Sequence, residues 1–317
     1  MPKRSSWTIL EDKTMEKPLN VLFIAGGRRV SLAEAFIKRG FNVFAYELGH
    51  ETPISKVAEK VFIGSGEWDQ QEYQYIEQQK KYHHIDLVIP LSCRATLFCA
   101  EYKMGNFQPS YRASTFAYNK LLLEKELIIS EYLSKYWPIP IGYPRIYKPI
   151  NGYGSRGIEI RKSWWVDDLI KNQAYVCQKY VTGPEYSVDA YFDRFGFMVG
   201  AVPRTRQRVA DGEVLDSRTV NRPELIEATR EIGQFLGFKG PTCFQYILDK
   251  DDGQKPKLLE INGRFGGGAT LSLEAGFDMI KMLRLEYIEG QTLNKNDYKW
   301  TPYLSMHRSY QDHFFRG

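Results

Sequence analysis

The first patterned stretch is a continuous apolar run, Asn20–Ala25 (NVLFIA), with the character of a strand buried on both faces. A turn, Gly26-Gly27-Arg28-Arg29, follows it. Val30, Ala33, Phe36 and Ile37 then recur at helical spacing, and Gly40 ends the helix. Strand-like runs at Phe41–Tyr46, Lys60–Ile63 and Asp86–Leu91 continue a strand–helix alternation. That alternation predicts a parallel sheet and a Rossmann-like domain over residues 19–112. The turn is not the GxGxxG dinucleotide fingerprint, which argues against a nicotinamide cofactor. Arg28 and Arg29 stand at the carboxyl end of the first strand, where open sheets bind ligands. They are candidates for contact with a substrate anion, the alternative being a solvated or helix-anchoring role.

Beyond residue 112 the pattern changes. Residues 113–182 read as a long helix, a strand Tyr143–Pro149 (YPRIYKP), a loop of small residues at 151–157 (NGYGSRG) and a further strand. Residues 183–317 read as a β-rich lobe with helices at 223–236 and about 267–275, then a tail. Asp211-Gly212 predicts a hairpin joining strands at about 197–208 and 214–220. Arg204, Arg206 and Arg208 alternate on the first of these and so share a face. Three like charges in a row call for opposing anions, which makes Arg206 and Arg208 candidates for a substrate carboxylate or a phosphate. An exposed edge strand protected by charge is the equal alternative. Residues 1–18 have no periodicity and read as an extension in which Met15 is an alternative start. In the tail, His307 and His313 read as packing or surface residues rather than ligands.

Two segments carry candidate chemistry. Lys148 ends a strand beside the glycine-rich loop, a pairing that suits phosphate: the ammonium is a point charge, and glycines let backbone N–H groups approach the same oxygens. The lysine precedes the glycines, so this is not a P-loop. Near residue 250, runs at Thr242–Asp249 and Lys257–Asn262 flank Asp252-Gly253. A turn centred there sets Gln245 opposite Glu260 and puts Asn262 on the same face. Phe244, Tyr246, Leu248, Leu259 and Ile261 would then face the core. Three oxygen-bearing side chains with a single carboxylate suit Mg²⁺, with Mn²⁺ as an alternative. Arg264 follows, placed to meet an anion beside the metal. The plain alternative is an amphipathic hairpin with one face in water.

Together these segments resemble the ATP-grasp superfamily, and within it the ligases similar to the large subunit of carbamoyl phosphate synthase. The resemblance covers about residues 19–290. It implies an α/β and α+β architecture, an ATP-grasp fold preceded by a Rossmann-like pre-ATP-grasp domain. By resemblance, Lys120 and Lys148 contact phosphates, and the loop containing Gly152, Gly154 and Ser155 folds over the triphosphate. The stretch CQKYVTGPEYSVDAY, 177–191, looks like the family's hinge. It implies that the backbone from Gln178 through Lys179 and Tyr180 to Val181 reads the adenine edge, and that Glu185 holds the ribose. LLEINGRFGGGATLSLEAG, 258–276, looks like the metal and transfer motif. It implies Glu260 and Asn262, with Gln245, as metal ligands and Arg264 as the residue that stabilises the transferred phosphoryl group. The chain departs from the family at Lys179, where an acid is common, at Gly263 in place of proline, and at Ser92-Cys93-Arg94 in place of an acidic pair.

Composition is consistent with this reading. At 317 residues the chain suggests about two domains, and no apolar run approaches the ~20 residues needed to span a bilayer. Cys93, Cys99, Cys177 and Cys243 show no metal-type spacing and read as reduced, mostly buried thiols of a cytoplasmic protein without a signal peptide. A net charge of +5, from 43 basic and 38 acidic residues, is mild, and no nucleic-acid motif accompanies it. The expected function is an ATP- and Mg²⁺-dependent ligase joining a small carboxylate to an amine, possible as a homodimer. A kinase, a carbamoyl or carboxyl phosphate-forming enzyme, and a noncatalytic nucleotide-binding protein are the alternatives.

Overall fold

A computed structural model describes residues 18–140, 142–151, 157–163, 175–210, 213–309 and 311–315. Residues 1–17 of the extension expected at 1–18, the loop residues Gly152, Gly154 and Ser155, and the Asp211-Gly212 turn lie outside the described residues.

The first sheet follows its pattern closely. Strands β1 (Leu19–Ile24), β2 (Phe41–Glu47), β3 (Lys60–Ile63) and β4 (Leu87–Pro90) form a parallel sheet in the order β3-β2-β1-β4. Helices α1 (Val30–Ile37), α2 (Gln70–Tyr82) and α3 (Cys93–Glu101) accompany it. On α1 the inward residues are Leu32, Ala33 and Phe36, whereas Ile37, expected on the apolar face, is 44% exposed. The helix has only about two turns, and Ile37 is its last residue.

The expected long helix is two helices, α4 (Tyr111–Tyr118) and α5 (Lys120–Ile129). Asn119 interrupts them with an extended backbone, and its side chain accepts hydrogen bonds from the Leu121 and Leu122 N–H groups. Asparagine competes with helix propagation in this way, and it makes Lys120 the first residue of a new helix. The Lys120 N–H donates to the Ile150 carbonyl at 3.1 Å, which ties that helix start to the end of β5. Strands β5 (Arg145–Pro149), β6 (Glu159–Arg161) and β7 (Tyr175–Lys179) form a small antiparallel sheet with β5 central.

The last lobe has strands β8 (Glu185–Phe192), β9 (Met198–Thr205), β10 (Arg208–Ala210) and β11 (Glu213–Arg218). Helix α6 (Pro223–Leu236), β12 (Gly240–Asp249), β13 (Lys255–Asn262), short helices α7 (Ala269–Glu274) and α8 (Met279–Leu283), and β14 (Ser305–His307) complete it. The principal sheet is antiparallel in the order β13-β12-β8-β9, and α6 lays Leu225, Ala228, Ile232 and Leu236 on it. The run expected as one strand at 197–208 is broken at Arg206-Gln207. Its first part stays in the principal sheet as β9, while β10 pairs with β11 in a second sheet. That second sheet gains β14 from the tail, with Ser217 opposite Met306.

The turn linking β7 to β8 packs on the opposite edge of the hairpin. A Cβ at Gly183 would lie 1.9 Å from the Leu248 carbonyl oxygen, and backbone cannot yield there as a side chain can. Gly183→Ala should therefore destabilise the protein by about 1–3 kcal/mol or more, the range for overpacking a filled site. A lowered urea midpoint checks this, and an unchanged midpoint contradicts it.

Candidate active site

The β12–β13 pairing sets the centre of the site. Gln245 lies opposite Glu260 and Cys243 opposite Asn262, as a turn centred on Asp252-Gly253 predicts. The turn is nevertheless wider than two residues, because Lys250–Asp252 form a 3₁₀ turn and both Gly253 and Gln254 take left-handed φ angles. A bulge absorbs the difference: Tyr246 faces Leu258, which leaves Leu259 unpaired. Leu258, not the expected Leu259, enters the core. The Leu259 carbonyl instead accepts a hydrogen bond from Lys148 Nζ at 3.4 Å. One irregularity thus joins the phosphate candidate of the small sheet to the strand bearing the metal candidates.

Those candidates converge. Glu260 Oε1 accepts from Gln245 Nε2 at 2.7 Å and from Asn262 Nδ2 at 3.1 Å. Asn262 Oδ1 accepts from Arg264 Nη2 at 3.0 Å and from the Cys93 thiol at 3.3 Å. Cys93, expected as a reduced, mostly buried thiol, therefore touches the site from the start of α3, where Ser92 caps the helix. Arg264 has no carboxylate within ion-pair distance among the described residues, and its Nε is buried without a partner there.

Lys148 is only 7% exposed and also has no ion-paired carboxylate among the described residues. Burial draws its ammonium down to about 8, nearby Lys120 acts the same way, and Glu260 and Glu185 oppose them. A buried ammonium in this condition is stabilised by an incoming anion. Lys120, Cys93, Arg204, Arg206, Glu260 and Arg264 are among the residues lining one cavity of about 480 Å³.

The other expected positions are distributed more widely. Gln178 is buried, and neither atom of its amide has a partner among the described residues. The Lys179 and Tyr180 N–H groups donate to the Pro138 and Pro144 carbonyls at 2.9 and 3.0 Å. The Lys179 ammonium pairs with Asp249 at 3.4 Å and, with Val181, lines a separate cavity near Trp137. Glu185 begins β8 and pairs with Arg206 at 3.3 Å. Arg29 lines the central cavity, whereas Arg28 lines an adjoining one of about 580 Å³. Arg208 is carried away by the strand break. It is exposed, pairs with Asp216 at 2.9 Å and lines neither cavity.

Other contributors take places that the sequence did not show. Arg204 is fully buried and paired with Asp189 at 2.8 Å, while its Nη1 has no partner among the described residues. Glu213 sits between Arg29 at 3.5 Å and Arg308 at 3.0 Å. Burial works against its charge, but Arg29 and Arg308, with Arg264 beyond, outweigh that and hold its carboxyl below the usual range. The Gly266-Gly267-Gly268 run was visible, but its role was not. A Cβ at Gly267 would lie 2.5 Å from Glu213 Oε2, and one at Gly268 2.7 Å from Arg204 Nη1. The glycines let the backbone lie against this charged layer.

This architecture, a Rossmann-like sheet followed by two antiparallel lobes that carry a lysine and an oxygen-donor hairpin, is the ATP-grasp fold. Residues 171–308 match a family described as ATP-grasp in the biosynthetic pathway with Ter operon. Among solved structures, L-amino acid ligase from Bacillus licheniformis superposes with a TM-score of 0.68 at 14% identity, over 92% of this chain and 79% of that one. A biotin carboxylase complex from Campylobacter jejuni gives 0.67 at 18% identity, over 88% and 73%. The biotin carboxylase domain dimer of Hydrogenobacter thermophilus 2-oxoglutarate carboxylase, with MgADP and bicarbonate, gives 0.65 at 16% identity, over 90% and 73%. No curated protein matches by sequence.

The donors present fit a nucleotide and a hard cation. Gln245, Glu260 and Asn262 offer oxygens with one carboxylate, the set that suits Mg²⁺. The under-compensated Lys148 and the unpartnered Arg264 Nε suit phosphate oxygens. If Lys148 binds phosphate as the ammonium, affinity for metal-free ADP should fall about tenfold or more as pH rises from 7 to 9.5. Its proton is lost from the free protein near pH 8 and retained in the complex. Calorimetric titration across this range checks the slope, and Lys148→Arg should flatten it.

Proposed function

We propose that this protein is an ATP- and Mg²⁺-dependent ligase that joins a carboxylate to an amine through an acyl phosphate. The observation that carries the proposal is the hydrogen-bonded set Glu260–Gln245 and Glu260–Asn262–Arg264 on one wall of the central cavity, with Lys148 bonded to the carbonyl of Leu259, the residue before Glu260. Lys148 and Lys120 would hold phosphate oxygens. The adenine edge would fall to the Val181 N–H and the hinge carbonyls, since the Lys179 and Tyr180 N–H groups are engaged. Glu185 would hold the ribose. Glu260, Asn262 and Gln245 would hold Mg²⁺, or Mn²⁺ with its similar preference for oxygen, and the ion supplies charge neutralisation among the phosphates. Asn262 and Gln245 now turn their amide nitrogens to Glu260, so both amides would rotate to offer oxygen.

In the reaction a substrate carboxylate oxygen bonds to the γ-phosphorus, and the bond to the ADP oxygen breaks. The amine nitrogen then bonds to the acyl carbon, the carbon–oxygen bond to phosphate breaks, and the amine gives up a proton. Arg264 stabilises the equatorial charge of the first step and the departing phosphate of the second. No covalent enzyme nucleophile is needed, because positioning and charge do the chemistry. A cytoplasmic setting would fit four cysteines of which none is in a disulfide among the described residues. Assembly as a homodimer follows the dimeric form of the Hydrogenobacter domain. The bicarbonate in that structure favours a second reading, a carboxyl phosphate-forming enzyme, which bicarbonate-stimulated ATP hydrolysis would reveal.

The decisive experiment incubates the protein with MgATP and pooled carboxylates and amines and measures ADP and phosphate release. Release should require one acid and one amine. Lys148→Ala and Glu260→Ala should each lower it by about two to three decades, the ~3–4 kcal/mol of one preorganised contact, with the fold intact by circular dichroism. Near wild-type turnover in either variant refutes the assignment.

A further inference from the structure

The central cavity does not end at Arg264. It meets the adjoining cavity at Arg29, Glu213, Gly266 and Gly267, all four of which line both. The second cavity lies between the start of α1 and the segment after β14, and Arg28, Arg29 and Arg308 line it along with Glu34 and Glu213. The junction is strongly cationic. Arg29 and Arg308 share the single carboxylate of Glu213, while Arg264 has no carboxylate within ion-pair distance among the described residues. Arg308 is fixed independently, because its Nη2 donates to the Gly267 carbonyl at 2.7 Å and its N–H to the Leu215 carbonyl at 2.8 Å. The imbalance shows in Arg29 too. Burial and the neighbouring Arg264 draw it down to about 10, Glu213 offsets part of this, and Arg308 adds to it.

A carboxylate activated beside Arg264 needs one cation partner and the metal. It does not account for two further guanidiniums at the far end of the same space. From this we propose that the acid substrate carries a second anionic group, carboxylate or phosphate, that reaches past Gly267 and is held by Arg29 and Arg308. Guanidiniums suit this task because they bind either anion in a bidentate manner. Glu213 aligns the pair, and the glycine run leaves the passage open, since a Cβ at Gly267 would lie 2.9 Å from Arg29 Nη1. The inference rests on the ligase reading for which end of the substrate reacts, while the second-anion site stands on its own geometry.

The test uses the full chain with a nonhydrolysable ATP analogue and Mg²⁺, and three probes of similar length: pentanoate, glutarate and 4-phosphonobutanoate. Nucleotide affinity is measured first, and the acids are then titrated into the saturated complex. Glutarate or 4-phosphonobutanoate should bind at least tenfold more tightly than pentanoate, and which of the two leads identifies the second anion. Arg308→Gln and Arg29→Gln should each remove that advantage while leaving nucleotide affinity unchanged. Equal affinities for the three acids, no binding of any of them, or an advantage that survives both substitutions overturns the proposal. The comparison on the wild-type protein holds even if a variant fails to fold. Absent nucleotide binding, by contrast, overturns the ligase reading itself.

Discussion

The buried ion pair between Arg204 and Asp189 organises the lobe on which the site is built. It joins β9 to β8, and Ser272 of α7 donates to the same carboxylate at 2.7 Å. Both charged side chains are 1% exposed, so each needs the other: removing one partner of such a pair typically costs about 3–5 kcal/mol. The Gly266–Gly268 backbone lies directly against the pair, where a Cβ at Gly266 would come within 2.8 Å of Asp189 Oδ1. The loop leaving Arg264 therefore packs directly on this pair, with no room for a side chain at Gly266 or Gly268. Arg204 looks from the sequence like a ligand-binding residue. In the fold it pairs with Asp189 directly against the glycine run that follows Arg264.

Much of this was legible in the sequence because it depends on local pattern. The parallel sheet follows from apolar runs, and the facing of Gln245 and Glu260 follows from a turn signal and strand alternation. What failed were inferences that extended a local rule through an irregularity. Leu259 lost its core position because the turn took extra residues and the bulge returned them. The alternation of Arg204, Arg206 and Arg208 was real as far as Gln207, where the chain passes to another sheet. The single long helix ignored what a capping asparagine does to the turn after it.

A second group of residues could not be read from pattern at all. Glu213 and Arg308 owe their meeting to the pairing of β11 with β14, two short strands far apart in sequence and without a strong periodicity of their own. Nothing local marks Arg308 as different from other surface arginines. Cys93 is similar: its contact with Asn262 exists only because the first domain abuts the last lobe. The metal-type residues, by contrast, come from one hairpin, and so a sequence displays them together.

The joining of β14 to β11 has a consequence for how the protein comes into being. Arg29 is among the first residues of the patterned chain to leave the ribosome, and Arg308 is among the last of the described ones. The Rossmann-like sheet, with its near-neighbour pairings, can form early during synthesis. The arginine pair waits until β14 emerges and docks. A nascent chain can thus complete the Rossmann-like sheet and the β12–β13 hairpin while the Glu213–Arg308 pair is still unmade. Vectorial synthesis in this way separates the building of the central cavity's wall from the closing of the cavity that adjoins it.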